Sequence, residues 1–164
     1  MRGNNTHKFH TISIQPHWMQ YFINEFIPLV LCLAIWLSAG LDNNPFSKLL
    51  LCIAGALSLF LVYKFIYLQL LIYSVTGEQL VIKHGVFTRN SDYIELYRIV
   101  DYDERRNFIQ QILGQKTVSV YSGDRTNPRL DIIGVLEGND MVGIIRERVE
   151  YNKLRKGVYE ITNR

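Results

Sequence analysis

Two long apolar runs, separated by a short polar link, dominate the first half of the chain. The first run covers residues 22–41 and the second covers residues 46–63, in which Lys48 is the only charged residue. Twenty residues of helix rise about 30 Å, the thickness of a bilayer's hydrocarbon core. Because the link at residues 42–45 is so short, the two helices must be antiparallel. The pattern predicts a transmembrane helical hairpin over residues 21–71, with the lipid bilayer as a partner.

Small residues cluster in the second run. Ala54, Gly55 and Ser58 leave room for another helix to approach closely, either the first arm of the hairpin or a helix of a second protomer. Lipid supplies no hydrophobic drive for helix association, so close packing of this kind is the expected basis of a homo-oligomer. Cys32 and Cys52 lie inside the runs, and no disulfide framework is predicted.

Aromatic residues and cations predict the orientation of the hairpin. Candidate interfacial anchors are Trp18, Tyr21 and Phe22 before the hairpin and Tyr63, Phe65 and Tyr67 at its end. Arg2 and Lys8 precede the first run and Lys64 follows the second. The positive-inside rule therefore places both termini in the cytoplasm, and a multi-pass protein of the inner (cytoplasmic) membrane of a bacterium is expected. The apolar runs start too late and are too long for a cleaved signal peptide.

From residue 72 onward, short alternating stretches predict strands. The predicted strands are residues 72–76, 80–83, 86–89, 93–96, 99–102, 117–121 and 130–135. Residues 107–113 carry Phe108, Ile109 and Ile112 at helical spacing and precede Gly114, which predicts a short helix plugging the sheet.

The last segment has a helical period. Its predicted apolar face is Met141, Val142, Ile145, Val149 and Leu154, and its predicted polar face is Arg146, Glu147, Arg148, Glu150 and Lys153. Asn139 or Asp140 is a suitable N-cap, and Gly157 a suitable end. Strands closed by such a helix predict an α+β PH-like β-barrel capped by a C-terminal amphipathic helix in residues 72–164, after an N-terminal cytoplasmic or interfacial segment at residues 1–20.

Charge limits the partners of the second half. Residues 74–164 contain 14 Lys and Arg against 13 Asp and Glu. A nucleic acid polymer is excluded as the expected partner, because its binding depends on a basic field of one sign. Any anionic ligand must be held by a local group of residues.

Several stretches resemble the bacterial PH-domain family of YdbS-like membrane proteins, which carry two transmembrane helices and a PH-like domain. The resemblance rests on YSVT at residues 73–76, LVI at 80–82, GVF at 85–87, IELYRIVD at 94–101 and the pattern between residues 113 and 158. It implies a PH-like fold and membrane anchoring. It implies no reaction and no cofactor.

One turn could hold an anionic ligand. Residues 124–129 place Thr126, backbone amides and the guanidiniums of Arg125 and Arg129 together, and Arg98 is a further candidate ligand. Alternatively, Asp124 and Thr126 cap their own turn and Arg125 pairs with a carboxylate such as Asp101. In the charged runs at residues 98–101 and 103–106, internal salt bridges are expected rather than a ligand site.

The N-terminal segment allows two interpretations. His7, His10 and His17 are metal ligands by type, but no closed four-ligand spacing is present and no metal is predicted. The apolar residues Phe9, Ile12, Ile14 and Trp18 instead favour an interfacial segment or an extra strand on the barrel edge. No catalytic signature is present, so the protein is not expected to be an enzyme.

Three functions are compatible with these patterns. The leading hypothesis is a cytoplasm-facing, membrane-anchored PH-like module that self-associates and binds a peptide or a small anionic ligand. The second is a membrane-disrupting effector of the antiphage defence type, whose small barrel senses a nucleotide. It requires Arg98, Arg125 and Arg129 to converge on an accessible pocket. The third is an assembly subunit of a larger membrane complex.

Overall fold

The computed structural model describes residues 9–41, 45–125 and 127–157, which form a helical part and an α+β part. The helical part consists of α1 (Gln20–Asn24), α2 (Phe26–Ala39) and α3 (Ser47–Leu70). The strands are β1 (Ile12–Ile14), β2 (Ile72–Val75), β3 (Gln79–His84), β4 (Asn90–Glu95), β5 (Ile99–Arg105), β6 (Gln115–Ser122) and β7 (Arg129–Leu136). The α+β part also holds a 3₁₀ helix (Leu96–Arg98), α4 (Phe108–Ile112) and α5 (Met141–Lys156).

The helices α2 and α3 form a hairpin whose arms differ in length from the prediction. The first arm breaks at Glu25, and α2 has only 14 residues. Pro28 explains the break, because it has no N–H to donate to the carbonyl of Asn24. The second arm is longer than predicted, since α3 has 24 residues and passes Tyr63 to end at Leu70. Within the described residues, α3 is the one helix that is long and apolar enough to cross a membrane.

Small and polar groups join the two arms. Ala54 is fully buried. The Ser58 hydroxyl lies 3.4 Å from the Cys32 sulfur, accepts a 3.2 Å hydrogen bond from the Trp36 indole and donates to the carbonyl of Ala54 at 2.7 Å. Ala54 and Ser58 therefore pack inside the hairpin. A Cβ added at Gly55 would meet nothing within 4 Å, so this small residue is not explained by the contacts of the hairpin.

The strands form two antiparallel sheets, ordered β1-β2-β3-β4 and β5-β6-β7. The predicted closed barrel is wrong for the described strands, because the 3₁₀ helix separates β4 from β5 and the two sheets share no ladder. Tyr73 joins the sheets instead. Its hydroxyl donates to the carbonyl of Asp131 at 3.2 Å and accepts the N–H of Ile133 at 3.3 Å. Burial raises the pKa of Tyr73. The core lies around this junction and beneath α5, and includes Leu80, Ile94, Val118, Ile132, Met141 and Ile145.

The strand β1 confirms the predicted extra strand at the edge of the sheet. It pairs with β2 through Ile12 opposite Val75, Ser13 opposite Ser74 and Ile14 opposite Tyr73. The hydroxyls of Ser13 and Ser74 lie 2.9 Å apart. The sheet therefore includes residues from before the hairpin as well as after it.

The predicted strand at residues 86–89 is wrong. These residues belong to the connection between β3 and β4, and β4 starts at Asn90. Gly85 makes this connection tight: its φ is +111°, and a Cβ there would lie 1.9 Å from the carbonyl oxygen of Thr88. Phe87, which lies in this connection, is 90% exposed.

Helix α4 is present as predicted, but its polar side is buried and its apolar side is exposed. Asn107 caps it by accepting the N–H of Gln110 at 2.7 Å, and the Gln110 side chain accepts the N–H of Asn107 at 3.1 Å. The side chain of Gln110 is buried, where it donates to Gln20 and Thr117. Phe108, Ile109 and Ile112 are exposed instead of plugging the sheet.

Helix α5 starts and ends as predicted, with Asp140 accepting the N–H of Gly143 at 2.9 Å and Gly157 in the left-handed region. Met141, Ile145 and Val149 are buried, whereas Leu154 is exposed, so the prediction for Leu154 is wrong. Arg148 and Asn152 are also buried. The assignment of Arg148 to the polar face is therefore wrong as well.

Candidate functional site

The predicted ligand turn is organised by its own polar groups. Ser122 donates its hydroxyl to the carbonyl of Asn127 at 2.7 Å and accepts the N–H of Asp124 at 3.2 Å. Thr126 lies outside the described residues. The described part of the turn thus uses its polar side chains to close the connection between β6 and β7.

Two of the candidate arginines are paired with carboxylates. Arg129 donates to Asp131 through Nε at 2.9 Å and through a terminal nitrogen at 3.1 Å. Burial of Asp131 opposes its ionisation, but hydrogen bonds from Arg129 and Ser119 outweigh this effect and lower the pKa of Asp131. Arg98 lies 3.7 Å from both Glu95 and Asp124. An anionic ligand at either guanidinium would have to compete with a carboxylate.

Arg125 differs from the other two arginines. It is exposed, and within the described part of the chain it forms no ion pair, including with the Asp101 suggested by the sequence. Asp101 instead accepts the N–H of Tyr102 at 2.8 Å. The expected salt bridges of the neighbouring runs are present, with Arg105 on Asp103 and Arg106 on Glu137 and Glu104.

The strand registers place this turn at the end of the α+β part that is remote from the hairpin. We call the end where β1 stops at Ile14 and β2 starts at Ile72 the hairpin end, since these residues lead into α1 and out of α3. The far end is the opposite one, marked by the β2–β3 turn at Gly77. Asn152 and Arg155 of α5 bind this turn through Gly77 and Glu78. The ligand turn belongs with the far end. The backbone carbonyl of Arg98 accepts the N–H of Gly123, and the neighbouring ring of Tyr97 contacts Lys156 near the end of α5.

The hairpin end exposes large apolar side chains, among them two of the aromatic residues predicted as interfacial anchors. Trp18 and Phe22 are each 48% exposed, and Phe108 on α4 is 76% exposed. Helix α4 is held at this end by the 3.1 Å hydrogen bond from Gln110 to Gln20. The connection carrying Phe87 is also here, because Lys83 pairs with Ile72 and His84 with Asn90. The helical spacing of α4 could not show which of its faces is exposed.

The N-terminal histidines are placed by the sheet. His17 donates its backbone N–H to the carbonyl of Gly134 at 3.0 Å, and its ring Nδ1 lies 3.2 Å from the amide nitrogen of Gln115. The backbone carbonyl of His10 accepts a hydrogen bond from Arg148 at 2.7 Å. His7 lies outside the described residues. Among the described residues, no group of three or more His, Cys, Asp or Glu side chains could hold a metal ion.

Residues 22–149 match the sequence profile of the family described as the bacterial PH domain. The chain belongs to this family. The match starts within α1 and ends within α5, so it covers the apolar helices and every strand except β1. Neither the curated proteins nor the solved structures give a match to the chain. Membership in the bacterial PH domain family fits a PH-like module, the class of domain that generally binds rather than catalyses.

Proposed function

We propose that this protein is a non-enzymatic, membrane-anchored PH-like binding module that faces the cytoplasm of a bacterium and self-associates. The hairpin anchors it in the inner membrane, and the two sheets present a binding surface on the cytoplasmic side. The family match supports the PH-like part of this proposal. Support for anchoring comes from the exposure of α3, for orientation from the distribution of cations and aromatic residues, and for self-association from the open space at Gly55.

The exposure of α3 carries the proposal. Only 11% of the most apolar stretch of α3 is buried. The core helix of a soluble protein would be mostly buried, and exposing this much apolar surface to water is unfavourable by about 25 cal/mol per Å². A bilayer removes that cost. The helix also connects to β2 through Leu71 alone, so the sheets lie directly at the end of the proposed span.

Edge strands supply a route for binding peptides. A peptide that adds to a sheet needs an unpaired strand edge. The edge of β2 is already covered by β1, so the edge strands are β1 and β4 in one sheet and β5 and β7 in the other, and their outer edges are the candidates. The far end, with its exposed Arg125, remains a candidate for a small anionic ligand. Arg98 and Arg129 are paired with acids, so the convergence of arginines required by the nucleotide-sensing effector is not supported.

Self-association is proposed through α3. Gly55 is a small residue with open space where a side chain would be, and a helix from another protomer can approach it closely. Ala54 and Ser58 pack within the hairpin and are left out of this contact.

Topology mapping tests the proposal. A reporter fused after Arg164 should signal the cytoplasm, and one inserted at Asn43, in the link of the hairpin, should signal the opposite side. The protein should also remain in the membrane fraction after alkaline carbonate extraction. Recovery in the soluble fraction would refute anchoring, and the reverse reporter pattern would refute the orientation.

A further inference from the structure

A cleft at the hairpin end combines positive charge with direct continuity to the apolar helix. Its volume is about 320 Å³, and its walls include Gln69, Leu70, Ile72, Lys83 and Arg89. Gln69 and Leu70 are the last residues of α3. The cleft therefore opens where the proposed span leaves the bilayer, beside the headgroup layer.

The two cations of this cleft have no carboxylate partner among the described residues. Lys83 and Arg89 are exposed and form no ion pair within the described part of the chain. The nearby acid Asp92 lies 3.6 Å from His84. Elsewhere the cations are mostly paired with acids, as shown by Lys64 with Glu25, Arg98 with Asp124, Lys116 with Glu104, Arg129 with Asp131 and Arg155 with Glu78. In a nearly neutral domain, this leaves a local positive charge at the hairpin end.

Phe87 adds an apolar contact next to the cations. Its ring stacks on Tyr63 of α3, with centroids 6.2 Å apart and planes 13° apart. It is nevertheless 90% exposed. An aromatic side chain held against a membrane-spanning helix and otherwise open is suited to the interfacial layer of a bilayer. The tight turn at Gly85 fixes this arrangement.

We infer that this cleft binds the phosphate of an anionic phospholipid from the bilayer that holds the hairpin. Lys83 and Arg89 would contact the phosphate oxygens, and Phe87 would lie among the headgroups and upper acyl chains. The amides of Gln15 and Gln69 and the hydroxyl of Ser91, which also line the cleft, can bind the polar part of the headgroup. The inference rests on the proposed membrane anchoring. A free phosphate compound would use the same cations, but it would gain nothing from Phe87.

The test uses the full chain in detergent, titrated with short-chain phosphatidylglycerol, short-chain phosphatidylcholine and inorganic phosphate. Phosphatidylglycerol should bind most tightly. Lys83→Ala and Arg89→Ala should each weaken its binding about tenfold to a hundredfold, because each removes a charge-assisted contact. Arg146→Ala is the matched control: it removes one exposed cation from α5, 3.9 Å from Glu150, and should leave the affinity unchanged. Both cleft positions are exposed, so their variants should keep the wild-type melting temperature.

Each alternative result has a distinct meaning. Equal binding of the two lipids, or equal loss in Arg146→Ala, would overturn the inference. Binding of inorganic phosphate as tightly as phosphatidylglycerol would also overturn it and would assign the cleft to a soluble anion. Phe87→Ser should weaken the binding of phosphatidylglycerol but not that of inorganic phosphate, and an unchanged affinity for phosphatidylglycerol would argue against insertion of the ring. If the protein resists carbonate extraction but shows no lipid preference, lipid binding by the cleft is refuted and membrane anchoring is not. If carbonate extracts the protein, the proposed membrane anchoring is refuted.

Discussion

Arg148 is expected to fasten the N-terminal strand to the rest of the domain. Its guanidinium donates to the backbone carbonyls of Val75, Thr76 and His10, the last two at 3.0 and 2.7 Å. It also lies over the ring of Phe9, 5.5 Å from the centroid. Burial lowers the pKa of Arg148, because removal from water disfavours the charged form. The hydrogen bonds must therefore outweigh a cost of desolvation.

Arg148→Met should destabilise the protein by about 3 kcal/mol. Removing the guanidinium takes the donor away from three backbone carbonyls, and a buried acceptor left without a partner costs about 1–3 kcal/mol. The methionine keeps apolar contact with the surroundings and carries no desolvation cost, which offsets part of the combined loss. For a chain of this size, the melting temperature should fall by roughly 6–12 °C. Arg148→Lys should also destabilise, because an ammonium group cannot reproduce the fork of the guanidinium.

Thermal unfolding of the full chain in detergent measures this change, with Arg146→Met as the control on the exposed face of the same helix. Hydrogen exchange should show that the amides of β1 lose protection first in Arg148→Met, because His10 lies just before that strand. A melting temperature equal to that of Arg146→Met would refute the reasoning. So would a loss of protection spread evenly over both sheets.

Three further changes test other parts of the structure. Val149→Asp should lower the stability of the full chain by several kcal/mol, because it puts an unpaired carboxylate in a position that is only 3% exposed; unchanged unfolding would mean that α5 does not cover the core. Gly55→Leu should shift the detergent-solubilised protein to a smaller oligomer in native mass spectrometry, while Ile53→Phe, on another face of α3, should not; an unchanged oligomer would move the contact to the sheets. Arg125→Ala should weaken a small anionic ligand at the far end about tenfold to a hundredfold with little change in melting temperature, as judged by the small molecules that co-purify. Arg129→Ala should weaken the same ligand but also lower the melting temperature, because it removes the partner of Asp131, and the opposite ranking of the two variants would contradict the site.

Local patterns in the sequence predicted much of the fold. The alternation at residues 117–121 lies within β6, and the glycine after residue 113 marks the end of α4. Asp140 and Gly157 bound α5 because capping depends on groups only a few residues apart. Such features are local and can be recognised in a single sequence.

The errors come from contacts between distant residues. Helical spacing predicted an apolar face on α4, but the partners of Gln110 come from Gln20 and Thr117, and this polar residue occupies the buried side. The helical pattern of α5 assigns Arg148 to the surface. In the fold, Arg148 is buried because the carbonyls of β2 and of residue 10 accept its hydrogen bonds. Nothing local distinguishes a buried arginine of this kind from its exposed neighbour Arg146.

For the candidate sites, residue types could be read from the sequence, but their surroundings could not. Arginines near a turn suggested an anion site, yet Arg98 lies beside Asp124 of that turn, and Arg129 is paired with Asp131, two residues along the same strand. Lys83 and Arg89 were not predicted as site residues. They form a candidate site because they have no carboxylate partner within the described residues and because they lie near α3. Both properties depend on the strand registers.

The pairing of β1 with β2 makes the helical hairpin an insertion within a β-ladder. Residues 15–71 leave the sheet from Ile14 and return to it at Ile72, beside the strand they left. A sideways or vertical displacement of one helix relative to the other would therefore act as a shear force on three residue pairs. Because slipping by one residue turns every side chain of a strand to the opposite face, this short ladder would resist small displacements and then yield abruptly. The ladder therefore couples the position of the helices to the sheets.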